Sequence, residues 1–247
     1  MPRERILETF ILKRTDYGEA DQIITLFSKE EGKVRVLVKA AKLPTSKLQP
    51  LLQPLFETRV ALTGSRENAG LSKVINVQLI QAYGGILESD IKLSAWYIVS
   101  ELLIRALPDQ APNESLFFEL EQYAQFLHET DSSPDQIRQS VMQFQIKALA
   151  TLGLGVRDFS TKSGPLSSRE SLWFSMDRGG FVDENSVDAI PVQWEAFQSF
   201  RVLAEQSYDR GATIASPSLG LLPALINRFV IHQLERDIKS HQLFANS

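Results

Sequence analysis

Three observations predict an α+β chain with more than one domain. Up to about residue 82 the apolar residues alternate in short β-forming runs broken by proline and glycine, and from Gly85 onward they recur at helical spacing. The charge divides along the same line. Residues 1 to 80 carry 13 Lys+Arg against 9 Asp+Glu, and residues 81 to 150 carry 4 against 10, in a 247-residue chain of formal net charge -4. With 43% hydrophobic and 23% charged residues the chain can bury a full core, so disorder is not its dominant state.

In the first region, Glu8 to Lys13, Asp21 to Ser28, Lys33 to Lys39, Leu55 to Leu62 and Lys73 to Gln81 read as strands. The third alternates strictly: Val34, Val36 and Val38 point to a core, while Lys33, Arg35, Leu37 and Lys39 point away from it. Between the second and third, Lys29-Glu-Glu-Gly-Lys33 reads as a hairpin turn with Gly32 at the position that needs positive φ. Five short strands in about 80 residues predict a closed barrel, which removes exposed sheet edges, and the five-stranded oligonucleotide-binding (OB) fold is the expected form. This domain is placed at residues 1 to 82 and an all-helical domain at 83 to 247.

The helical domain follows from its caps and stripes. Ile91, Ala95, Ile98 and Leu102 form an apolar stripe that ends before Pro108, with Ser89-Asp90 at its start. Asn113 starts a second helix that runs to about His128. Ser133-Pro134 starts a third that ends at Gly153. Residues 154 to 186 read as irregular, with one hairpin around Asp177-Arg-Gly-Gly, and two further helices fit Val192 to Tyr208 and Leu221 to Lys239.

Chemistry-bearing patterns are few. The absence of cysteine removes disulfides and thiolate zinc sites and fits a reducing compartment, and His128, His232 and His241 have no metal-ligand spacing. No cofactor and no metal are therefore expected. Gly153-Leu-Gly155 lacks the residues of a phosphate loop. Ser89 and Lys92, with Lys162-Ser-Gly164 downstream, match two fragments of a serine acyl-enzyme pattern whose Ser-Asp-Asn element is missing. The opening MPRERILETF has no signal-peptide core, and Ala95 to Leu107 is too short and too charged to cross a bilayer, so a cytoplasmic protein without membrane contact is expected.

The one-signed segment Gly32 to Leu48 stands out, since Lys33, Arg35, Lys39, Lys42 and Lys47 are accompanied by no acidic residue. Unpaired cations on an OB barrel beside an aromatic residue are what a nucleic-acid strand requires. Tyr17, in its Asp-Tyr-Gly turn, is the stacking candidate.

Three runs carry a more specific likeness: Asp16-Tyr-Gly-Glu-Ala-Asp-Gln-Ile-Ile-Thr-Leu-Phe-Ser-Lys-Glu-Glu-Gly-Lys-Val34, Val38-Lys-Ala-Ala-Lys-Leu-Pro-Thr-Ser-Lys-Leu48 and Leu52-Gln-Pro-Leu-Phe56. In order and spacing they resemble the N-terminal domain of the bacterial RecO recombination-mediator family, and the segment Arg228 to Phe244, with its Lys239-Ser240 pair, is similar to that family's last helix. The resemblance implies a non-enzymatic DNA repair and recombination mediator of the RecFOR pathway, nucleoid-associated. Such a protein binds single- and double-stranded DNA, anneals strands, and with RecR helps load RecA onto DNA coated by single-strand-binding protein (SSB).

The resemblance also implies capture of the SSB C-terminal tail by the helical domain, for which Arg138 and Lys147, beside Val141, Met142, Phe144 and Leu149, are the candidates. It makes residues 154 to 186 a metal-free remnant of a four-cysteine zinc module. Ala40 stands where the family usually has glycine, and Leu43 and Thr45 where basic residues are common. The alternatives are an OB-type RNA-binding or translation-associated module, and the acyl-enzyme using Ser89 and Lys92.

Overall fold

The computed structural model describes residues 4–64, 71–158, 172–182, 187–208, 214, 219–235, 238–240 and 242. Lys162-Ser-Gly164, Arg236 and His241 lie outside them. The chain forms two compact units, Met1–Glu129 and Thr130–Ser247.

In the first unit β1 (Arg5–Tyr17), β2 (Asp21–Ser28), β3 (Gly32–Val38), β4 (Phe56–Thr63) and β5 (Ser72–Ala82) close into a barrel in the order β1-β2-β3-β5-β4. All neighbours are antiparallel except β3 and β5, which meet in parallel at Val36–Ser72 and Leu37–Lys73. Five strands in this order make an OB-type barrel. Its interior is filled by Ile11, Ile24, Leu26, Val36, Val60 and Leu62 among others. Gly32 has φ 70°, as the β2–β3 turn requires, and a Cβ there would also lie 2.0 Å from the Ala111 carbonyl oxygen.

Helices α1 (Asp90–Ala106) and α2 (Glu114–Glu129) belong to the same unit. Asn113 caps α2 by accepting a 3.0 Å hydrogen bond from the Leu116 N–H. Phe10 and Phe27, both fully buried, project from the barrel wall onto Phe117, with ring centroids 5.3 and 5.6 Å away, and Phe10 also meets Trp96 at 6.0 Å. Strand β2 is therefore buried on both faces, inward in the barrel and outward under the helices, which is why its sequence is apolar without alternation.

The second unit is built on α3 (Pro134–Thr151), which starts with a reciprocal capping box between Ser133 and Gln136. The expected hairpin is present as β7 (Leu172–Ser175) and β8 (Gly180–Val182), but it is the centre of a four-stranded sheet ordered β6-β8-β7-β9. The flanking strands β6 (Arg157–Asp158) and β9 (Ala189–Val192) are not legible in the sequence because one has two residues and the other contains Pro191. Helices α4 (Trp194–Glu205) and α5 (Leu222–Leu234) belong to the same unit, and Phe181 on the sheet packs against Phe197 at 4.8 Å while Phe174 packs against Phe229 at 5.4 Å. Among the described residues, no helix is long and apolar enough to cross a membrane, and no cluster of three His, Asp or Glu side chains is placed to hold a metal.

Candidate nucleic-acid interface

The outer face of the β1-β2-β3 wall is divided in two by a single residue. Ile11 pairs with Leu26 and Lys13 with Thr25, so Leu12 is an extra residue, a β-bulge that twists and redirects β1. Below the bulge, Phe10, Phe27 and Lys33 form one cross-strand row, and its aromatic members lie under α1 and α2. Above it, Lys13 aligns with Thr25 and Arg35, and Thr15 aligns with Ile23, Leu37 and Lys73. Residues opposite one another on neighbouring strands share a face, so Lys13, Arg35 and Lys73 stand on the same outer surface. Tyr17, 53% exposed and opposite Asp21, closes its upper corner.

The charges on this wall fall into two kinds. Lys13, Arg35 and Lys73 are exposed, and their charged ends have no ion pair or side-chain hydrogen bond among the described residues; the same holds for Lys47 in the following loop. The remaining cations are engaged. Lys33 donates a 2.8 Å hydrogen bond to the Ile104 carbonyl and lies 3.2 Å from Asp109. Lys39 lies 2.6 Å from Asp21, and Lys42 lies 3.4 Å from Asp16 and 3.3 Å from the Gly18 carbonyl.

Both carboxylates are held below the ordinary aspartate range. For Asp21 the main cause is the hydrogen bond from Lys39, followed by the Ala40 N–H; for Asp16 it is the hydrogen bond from Gln22, followed by the charge of Lys42. The Ala40 N–H donates to Asp21 at 2.9 Å from a backbone with φ 52°, the left-handed region in which glycine is free of the Cβ penalty.

The wall thus brings Arg35 and Tyr17 together with Lys13 and Lys73, two cations that the sequence reading omits. It sets Lys33 apart beneath the helices. Lys13 was hidden because the bulge breaks the period of β1. Lys73 was hidden because it reaches β3 through the long-range parallel closure of the barrel. A patterned surface of unpaired cations with an exposed phenol can hold a strand of phosphates and stack a base.

In the second unit the tail-binding candidates do not converge. Arg138 pairs with Asp135 at 3.2 Å on its own helix, and the Lys147 ammonium sits 4.6 Å above the Tyr208 ring. Nine residues separate them, about two and a half helical turns, so they leave α3 on opposite sides. Val141, Met142, Phe144 and Leu149 are all buried in the core of the unit rather than forming an open floor. The Lys92 ammonium is likewise buried, 3.5 Å from the Gly85 carbonyl, and Ser89 occupies the position before α1 without a side-chain capping bond.

Comparison with known proteins agrees with this architecture. The family model "Recombination protein O N terminal" matches residues 4–83, and "Recombination protein O C terminal" matches residues 88–242. A DNA repair protein RecO of Bacillus subtilis (strain 168) is 35% identical over 149 residues, 60% of this chain and 55% of the relative. One from Yersinia pestis (strain Pestoides F) is 32% identical over 182 residues, 72% and 71% of the two chains, and one from Pelotomaculum thermopropionicum is 26% identical over 250 residues, 95% and 91%. With both family models matched in order along an OB-type barrel and a helical region, the chain belongs to the RecO (recombination protein O) family of DNA repair proteins.

Proposed function

We propose that the protein is a non-enzymatic recombination mediator that binds DNA through the upper outer wall of its barrel. The observation that carries this reading is the group of cations on two adjacent cross-strand rows, Lys13, Arg35 and Lys73, without ion pairs among the described residues, beside the exposed ring of Tyr17. These groups attract phosphates without having to break an ion pair to any of the described residues first. Lys47 extends the same charge into the loop. Holding two single strands by their backbones on such a surface leaves base edges free to pair, which is the physical basis for annealing.

Family membership supports the rest of the reading: binding of both single- and double-stranded DNA, cooperation with RecR in loading RecA onto SSB-coated DNA, capture of the SSB tail by the helical domain, and a cytoplasmic, nucleoid-associated location. Arg138 and Lys147 remain the proposed contacts for the acidic tail, as two separate cations rather than one pocket.

The test is a titration of the full chain with labelled single-stranded DNA and RNA of equal length, together with an annealing assay on complementary DNA strands. The reading expects DNA binding and faster annealing, both weakened when Lys13, Arg35 and Lys73 are changed to Ala. Binding of RNA alone would favour a translation-associated module instead.

A further inference from the structure

The turn between β1 and β2 does something that charge counting along the sequence conceals. Asp21 uses one carboxylate oxygen to hold the Lys39 ammonium at 2.6 Å and the other to accept the Ala40 N–H at 2.9 Å. Asp16 lies 3.4 Å from the Lys42 ammonium and accepts a 3.0 Å hydrogen bond from Gln22. A backbone hydrogen bond of 2.9 Å from the Lys42 N–H to the Ala20 carbonyl fastens the same two segments together. An ammonium and a backbone N–H converging on one oxyanion make the donor set that binds a phosphate oxygen. Here a carboxylate of the chain itself fills that position. The set adjoins the upper outer wall, since Asp21 faces Tyr17 across the β1–β2 pair.

We propose that the Asp16–Asp21 turn is an internal phosphate mimic that holds Lys39 and Lys42 in reserve and must be displaced by the phosphates of a bound nucleic-acid strand. This rests on the reading of the barrel wall as the DNA surface. The pairs are suited to exchange. The Lys39 side chain is 59% exposed and that of Asp16 is 67% exposed, so both pairs are in contact with water, and exposed ion pairs are weak. A single phosphate competes poorly against a carboxylate already in place. A strand anchored at Lys13, Arg35 and Lys73 delivers further phosphates at high local concentration and wins the exchange. The turn therefore selects long polyanions over free nucleotides and keeps resting affinity low. Asp16 and Asp21 act through the two lysines and are positioning residues.

The experiment uses the full chain and labelled single-stranded oligonucleotides, with Asp16→Asn, Asp21→Asn, their combination, and Glu19→Gln as a control for a neighbouring charge in the same turn. Asparagine keeps the acceptor for the Ala40 N–H, so the loop geometry is preserved, and a thermal melt confirms folding. The double Asp variant is expected to bind roughly five- to tenfold tighter, as release of two exposed pairs implies, with Glu19→Gln giving a smaller gain. Lys39→Ala should cost more affinity in the Asp21→Asn background than in the wild type, because only there is Lys39 free from the outset. Equal gains from Glu19→Gln and Asp21→Asn, or an equal cost of Lys39→Ala in both backgrounds, would overturn the mimic and leave only long-range repulsion. If the triple change of Lys13, Arg35 and Lys73 to Ala leaves binding intact, the wall itself is refuted; if that change weakens binding and the Asp variants do not tighten it, the mimic alone fails.

Discussion

The ammonium of Lys33 donates a 2.8 Å hydrogen bond to the carbonyl oxygen of Ile104, in the last turn of α1. Helix C-termini expose unpaired carbonyls and a partial negative charge, so a lysine reaching them from the barrel both caps the helix and ties β3 to it. The main chain repeats the link, with the Gln110 N–H donating to the Lys33 carbonyl at 2.9 Å. The basic run that begins at Lys33 is therefore of mixed purpose. Lys33→Met is expected to lower stability by about 1 kcal/mol while changing DNA affinity by less than about twofold, because the ammonium is already spent on α1. Urea unfolding and an oligonucleotide titration on the same variant check both halves.

Ala40 provides a second test, on the backbone. Its φ of 52° places a Cβ in the left-handed region, where it crowds the following carbonyl. Glycine has no such penalty, although it gains freedom in the unfolded chain. Ala40→Gly is expected to stabilise the protein by about 0.5–1 kcal/mol, seen as a higher urea midpoint at unchanged m-value. A lower midpoint would mean that the loop does not hold this conformation in solution.

A buried carboxyl contributes to the pH dependence of the first unit. Glu57 is buried and accepts a 2.9 Å hydrogen bond from the Tyr83 hydroxyl. Burial pushes its carboxyl above the ordinary glutamate range, and the Tyr83 bond offsets this only in part. The folded state therefore binds the proton more tightly than the unfolded state, and stability falls as pH rises from about 4.3 through the folded value. Asp16 and Asp21 have the opposite sign, since their contribution is lost as pH falls below the aspartate range. Glu57→Gln keeps an acceptor for Tyr83 without the charge, so it is expected to flatten the decline on the neutral side and leave the acid limb unchanged. Thermal melts from pH 3 to 8 would show it, and an identical profile in both proteins would remove Glu57 as the cause.

The sequence is most informative where one face of an element is buried and the other is wet. Strand β3 alternates cleanly for that reason, and α2 announces itself through Asn113. It is least informative where burial is two-sided or the pairing is distant. Strand β1 runs from Arg5 to Tyr17, well beyond the expected Glu8 to Lys13, because its middle is buried on both faces and the Leu12 bulge shifts the pattern beyond it. Lys73 meets Leu37 across 36 positions of chain, and no local pattern encodes that meeting. On α3, Gln139 and Gln143 are buried although polar, since they hydrogen-bond the backbone at Ile214 and Gln206. A helical-period reading assigns such positions to solvent.

The ionic-strength dependence of single-stranded DNA binding reports how many phosphates the barrel wall holds. Each single-strand phosphate contact contributes about 0.7 to the slope of log K against log salt. Removing three cations of the barrel wall that are free of ion pairs among the described residues, by Lys13→Ala, Arg35→Ala and Lys73→Ala, is therefore expected to reduce the slope by about 2, with the variant still folded by its melt and Lys33→Met leaving the slope as it is. A folded triple variant with the slope of the wild type would contradict the placement of DNA on this wall.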